Sequence, residues 1–130
     1  MEPARILVVD DNPANLKLAA HVLESDGYLV NQASSAEAAL EQIHERAPDL
    51  ILMDIELPGM DGLALTRILK ADLATQGIPI VALTAFAMKG DEQKARDAGC
   101  NGYLTKPLNT RTLSADVAAF LRVRTHMDCQ

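Results

Sequence analysis

Five polar side chains stand where apolar runs of this chain end, and their types point to one kind of chemistry. Asp10 and Asp11 follow Ile6-Leu7-Val8-Val9, and Asp54 follows Leu50-Ile51-Leu52-Met53. Thr84 follows Ile78-Pro79-Ile80-Val81-Ala82-Leu83, and Lys106 follows Gly102-Tyr103-Leu104-Thr105. If the runs are strands of one open α/β sheet, the crevice beyond their carboxyl ends gathers three carboxylates, a hydroxyl and an ammonium. Crowded carboxylates repel one another and need either raised pKa values or a cation. A hard divalent ion such as Mg²⁺ takes oxygen ligands and keeps several waters, which suits such a set. That ion and Lys106 would offset phosphate charge, and an aspartate is a recognised covalent nucleophile. The combination fits phosphoryl transfer to a carboxylate.

The elements that must hold these groups alternate between strand and helix. The short, β-branched apolar runs suit strands buried on both faces, and Pro79 sits near a strand start, where a missing donor is tolerated. Asn12-Pro13 reads as an N-cap followed by proline at the first helical position. Leu16, Ala19, Ala20 and Leu23 then repeat at helical spacing, with Gly27 as the stop. Tyr28-Leu29-Val30 is a weaker strand. Ser34 with Glu37 predicts a capping box, Ala36, Ala39, Leu40 and Ile43 form the stripe behind it, and Pro48 ends the segment. The turn-rich stretch Leu57-Pro58-Gly59-Met60-Asp61-Gly62 leads to a helix bearing Leu65, Ile68 and Leu69. A charge-laced helix is expected over Lys89 to Ala98, and Leu113, Val117, Phe120 and Leu121 stripe a last one. Five strands alternating with five helices imply a parallel sheet covered on both faces. Residues 1–125 read as one domain and 126–130 as a short tail.

Composition excludes several other classes. Of 130 residues, 48% are hydrophobic and 23% charged, as in an ordinary globular domain. Lys and Arg total 12 against 18 Asp and Glu, a net charge of −6 that argues against nucleic-acid binding. No apolar run approaches the roughly 20 residues of a membrane-spanning helix, and the first residues lack a secretory pattern. Cys100 and Cys129 have neither metal spacing nor a disulfide framework, which fits a reduced cytoplasm. His21, His44 and His126 lie far apart without ligand spacing and read as surface residues.

Taken together, Val-Val-Asp10-Asp11-Asn12, Leu-Met-Asp54-Ile-Glu-Leu-Pro58-Gly-Met-Asp-Gly62, Leu-Thr84-Ala85 and Tyr103-Leu-Thr-Lys106-Pro107 resemble the receiver domain of two-component response regulators. The likeness runs from about Arg5 to about Arg122, with each motif at the end of the expected strand. Thr84-Ala-Phe-Ala-Met-Lys-Gly90-Asp and Gly99-Cys-Asn-Gly-Tyr103 also resemble single-domain cell-division regulators of the DivK type, and equally receivers of hybrid sensor kinases.

The resemblance implies a flavodoxin-like (βα)5 doubly wound fold with strand order 2-1-3-4-5. It implies that Asp54 accepts a phosphoryl group from a histidine kinase or phosphotransfer protein. Asp11, Asp54 and the backbone carbonyl of Glu56 would bind Mg²⁺ directly, with Asp10 acting through water. Thr84 would hydrogen-bond the phosphate, Ala85 would leave it access, and Lys106 would pair with a phosphate oxygen. Tyr103 would be the aromatic switch, and the bond before Pro107 would be cis. Donor helices would dock beside Pro13, Ala14, Pro107 and Leu108. Glu56 and Phe86 would flank the hydrolytic water, and bulky Phe86 points to slow self-dephosphorylation. The protein is expected to be a switch and not an enzyme, monomeric with a dimer open on phosphorylation. With no room for an output domain after the last helix, output is expected through protein binding or relay.

Simpler readings exist for each residue in isolation. Asp10-Asp11 alone is a strand-ending turn with a helix cap, Thr84 a satisfied core hydroxyl, Tyr103 a half-buried packing residue, and Cys100 a small packing residue. Their joint order defeats these readings for Asp10, Asp11 and Thr84, whereas Tyr103 stays open between packing and switch and Cys100 keeps its packing reading. A dinucleotide-binding oxidoreductase would carry a glycine fingerprint where Asp-Asp-Asn-Pro stands. A phosphatase of the haloacid dehalogenase type would carry a second Asp where Glu56 stands, and a longer chain. A receiver-like interaction module that is never phosphorylated is the remaining alternative.

Overall fold

Strand β1 (Arg5–Val9) buries Ile6, Leu7, Val8 and Val9 alike, so neither of its faces meets water. β3 (Leu50–Asp54) and β4 (Ile80–Thr84) are buried throughout, whereas β2 (Leu29–Ala33) and β5 (Gly102–Thr105) lie at the sheet edges and are only partly covered. All five pair in parallel in the order β2-β1-β3-β4-β5. The computed structural model describes residues 3–55, 62–84, 89–105 and 109–128.

Because side chains alternate across a strand, the same apolar runs supply two cores. Ile6, Val8, Leu50, Leu52, Val81 and Leu83 pack with Leu16 and Leu23 of α1 (Pro13–Ser25) and with Leu113 and Val117 of α5 (Leu113–Asp128). Leu7, Val9, Ile51, Met53 and Ile80 pack with Ala39 and Ile43 of α2 (Ala36–Glu45) and with Leu65 and Leu69 of α3 (Gly62–Ala71). α4 (Lys89–Ala98) buries Ala95 and Ala98 and leaves Gln93, Lys94, Arg96 and Asp97 exposed, as its charges require.

The helix ends follow the sequence closely, with informative shifts. Asn12 is extended, and its side chain accepts the Ala14 N–H at 2.9 Å with Pro13 in the first turn. After α1 the chain turns through Gly27 at φ 93, a left-handed conformation that glycine adopts without a Cβ clash. The α2 cap is Ser35 and not Ser34: Ser35 is extended, and its hydroxyl accepts the Ala38 N–H at 3.1 Å. Glu37 then falls one place short of the position that a reciprocal capping box needs. Burial of Ala36 and Ala39 sets this phase.

β4 starts at Ile80, two residues after the apolar run begins. Pro79 precedes it and still contributes its carbonyl to the Ile51 N–H at 3.0 Å. α5 continues to Asp128, so helix extends into residues that read as a tail. Nothing between Arg122 and Asp128 is a Pro or Gly that would stop it. Among the described residues, no helix is long and apolar enough to cross a membrane.

Candidate functional site

Two parallel strands bring the carboxylates together. In the β1–β3 ladder Val9 is level with Met53, so the next residues on each chain, Asp10 and Asp54, emerge side by side. Asp10, Asp11 and Asp54 each offer a carboxylate oxygen within 4.8 Å of the others. Asp10 and Asp54 are 1% and 2% exposed, whereas Asp11 is open to solvent, so the cluster has one accessible side. On β4, the neighbour of β3, Thr84 ends the strand fully buried.

Asp10 is held on several sides. Its backbone N–H donates to the Ala33 carbonyl at 3.1 Å, which fixes its place beyond β1. Its Oδ1 accepts the Asn12 N–H at 2.9 Å, and its Oδ2 accepts Asn15 Nδ2 at 3.2 Å. Asp54 is bounded from the other direction by Gly62, the first residue of α3, which approaches the end of β3 too closely for any side chain. Thr66 Oγ1 donates to the Gly62 carbonyl at 2.8 Å and secures that turn.

The donor set is chemically uniform. Among the described residues, three oxygen-donor carboxylates converge without a nitrogen or sulfur ligand, a composition that suits a hard ion such as Mg²⁺ and not a soft metal. Two of these carboxylates are buried at strand ends and the third, Asp11, faces solvent.

Of the residues singled out in the sequence, Asp10, Asp11, Asp54 and Thr84 lie at the same end of the sheet. Tyr103 lies half-buried on β5, paired with Ala82, and lines a cavity of about 540 Å³ with Arg96, Cys100, Gly102 and Phe120. Glu56, Ala85, Phe86, Lys106, Pro107 and Leu108 lie outside the described residues. Asn15 carries no mark that singles it out. As an amide on a helix it reads as a surface residue, and only its place one turn beyond Asp11 hints at a role.

A model of the response regulator receiver domain matches residues 6–118. The chain belongs to the response regulator receiver family. It is 40% identical over 119 residues to the polar-differentiation response regulator DivK of Brucella anthropi, covering 92% of this chain and 97% of that one. Among solved structures, a response regulator from Chloroflexus aurantiacus superposes with a TM-score of 0.88 at 35% identity, over 92% of this chain and 98% of that one. The receiver domain of a signal transduction histidine kinase from Syntrophus aciditrophicus superposes with a TM-score of 0.84 at 31% identity, over 92% of this chain and 90% of that one. The receiver fold with order 2-1-3-4-5 is therefore shared with stand-alone and kinase-borne receivers alike. This DivK-like receiver is a component of two-component signalling, where receivers act with a histidine kinase or phosphotransfer protein.

Proposed function

We propose that the protein is a phosphorylation-dependent switch in which Asp54 accepts a phosphoryl group from a phosphohistidine. An Asp54 carboxylate oxygen forms the bond to phosphorus while the histidine N–P bond breaks. The observation that carries this reading is the convergence of Asp10, Asp11 and Asp54 within 4.8 Å at the C-terminal end of the sheet, beside buried Thr84. Asp11, Asp54 and the Glu56 carbonyl would hold Mg²⁺, with Asp10 acting through water, and the ion would supply charge that offsets the phosphoryl oxygens.

In this reading Thr84 donates to a phosphoryl oxygen, Lys106 pairs with another, and Ala85 leaves the approach open. Tyr103 and Pro107 transmit the change, and Phe86 shields the product from water, so the phosphorylated state is long-lived. Residues 1–125 form the signalling unit. The donor is a histidine kinase or phosphotransfer protein, and output runs through protein binding or relay in the cytoplasm, where free Cys100 stays reduced.

Incubation with Mg²⁺ and acetyl phosphate tests the assignment by intact mass. One phosphoryl group should be added to the wild-type protein and none to Asp54→Asn, or in the presence of EDTA. Full labelling of Asp54→Asn would refute the acceptor. No labelling of the wild type would favour an interaction module that works unphosphorylated.

A further inference from the structure

The Asp10 carboxylate is almost completely buried, at 1% exposure, inside a cluster of three negative groups. Such a group is tolerated when its oxygens are engaged by donors. Both oxygens are engaged: Asn12 N–H reaches Oδ1 at 2.9 Å, and Asn15 Nδ2 reaches Oδ2 at 3.2 Å. The first donor is backbone, delivered by the turn that starts α1. The second is a side chain and is therefore a choice made at position 15.

The kind of donor matters. A lysine or arginine here would neutralise Asp10 and compete with a cation for it. An amide orients the carboxylate through a hydrogen bond and adds no positive charge of its own. We propose that Asn15 is a positioning residue for the divalent cation site. It turns the Asp10 carboxylate toward α1, so that Asp11 and Asp54 present the coordinating oxygens and Asp10 contributes charge from behind.

The local structure makes this orientation firm. Pro13 and the Asn12 cap fix the start of α1, and buried Leu16 anchors the adjacent turn against the sheet. Asn15 is half-buried between them, while Lys17 and Leu18 beyond it are exposed. Asparagine is a poor helix former, so α1 carries it at some cost in propensity. The inference rests on the reading of Asp11 and Asp54 as cation ligands.

Asn15→Leu, nearly the same shape without the donor, is the deciding variant. Mg²⁺ binding measured by calorimetry should weaken about tenfold, the low end for loss of an outer-shell partner. The rise in Tm on adding Mg²⁺ should shrink with it. In acetyl phosphate labelling, the Mg²⁺ concentration for half-maximal rate should rise, while the rate at saturating Mg²⁺ stays close to wild type. If Asn15→Leu binds Mg²⁺ as the wild type does, the inference is overturned, even where Tm in EDTA falls, because Asn15 then only fastens α1 to β1. Should the leucine variant not fold, Asn15→Ala is judged by the same criteria. Asp11→Ala separates the two layers of the argument. Wild-type Mg²⁺ affinity in Asp11→Ala would remove the ligand reading itself, whereas loss there with none in Asn15→Leu removes only the role of Asn15.

Discussion

Gly62 lies so close to Asp54 that a Cβ at position 62 would collide with the Asp54 carbonyl oxygen. The first turn of α3 can therefore rest on the end of β3 only because residue 62 has no side chain. Thr66, buried one turn later, bonds the Gly62 carbonyl at 2.8 Å and keeps that turn closed. Gly62→Ala must push the helix off the strand or shift Asp54 itself. We expect a loss of about 1–3 kcal/mol in urea unfolding, typical of overpacking, together with slower acetyl phosphate labelling. A variant as stable and as quickly labelled as wild type would show that the contact relaxes without moving the acceptor.

Ser34 and Ser35 are neighbours of the same type, yet only Ser35 accepts an α2 backbone N–H. Ser35→Ala should cost about 1 kcal/mol in chemical denaturation, the usual value of an N-cap hydroxyl, while Ser34→Ala should be close to neutral. Equal costs would mean that the cap is shared.

The contrast shows what the sequence makes legible and what it does not. Ile6 to Val9 and Leu50 to Met53 announce buried strands through composition alone, and Asp10, Asp11, Asp54 and Thr84 announce the site because each closes such a run. Helix phase is legible to within a residue, since alanine stripes tolerate a shift of one and either serine can cap. Long-range polar contacts leave no local trace. Lys70 Nζ donates to the Gln76 and Ile78 carbonyls at 3.1 and 2.9 Å and to Asn101 Oδ1 at 2.9 Å. Asn101 Oδ1 also accepts the Ile80 N–H at 2.9 Å, so one amide joins the start of β4 to the end of α3. Nothing in the spacing of residues 70, 80 and 101 predicts this. The Asn15–Asp10 bond is hidden for the same reason, since its meaning depends on where β3 places Asp54.

Cys100 should make stability depend on pH in the alkaline range. Burial pushes its thiol pKa up, against weaker opposing effects from a contact to Thr66 and the nearby Lys70 ammonium. An unfolded chain sheds the thiol proton near about pH 8.5, while the folded protein retains it. The folded state therefore binds more protons above that pH, and stability falls as pH rises through the folded pKa. Lys70 works in the other direction: burial lowers its pKa, so its contribution to stability rises with pH up to the ordinary lysine value. Comparing wild type with Cys100→Ala cancels most of the Lys70 effect, which both proteins share. Their difference in unfolding free energy, from urea melts under reducing conditions, should move against the wild type from about pH 8.5 upward. A difference that stays constant would mean that the thiol titrates alike in both states.

The last prediction concerns how a protein donor reaches Asp54. Asp11 is the open side of the carboxylate cluster, and α1 begins directly beyond it. Ala14 in its first turn is exposed, and Leu18 one turn later is 41% exposed, an apolar strip on an otherwise polar helix face. We expect a phosphohistidine on a partner helix to approach across this strip, whereas acetyl phosphate needs only the crevice. Ala14→Arg places a large charged side chain on the strip, at the cost of a few tenths of a kcal/mol from the helix dipole. Its charge does not repel a phosphoryl donor. Transfer from a phosphorylated histidine partner should slow about tenfold, the equivalent of roughly 1.4 kcal/mol at an interface. Labelling by acetyl phosphate should proceed at the wild-type rate. If both donors slow equally, the substitution has disturbed the crevice and α1 is not the docking face. If neither slows, the partner approaches from another side.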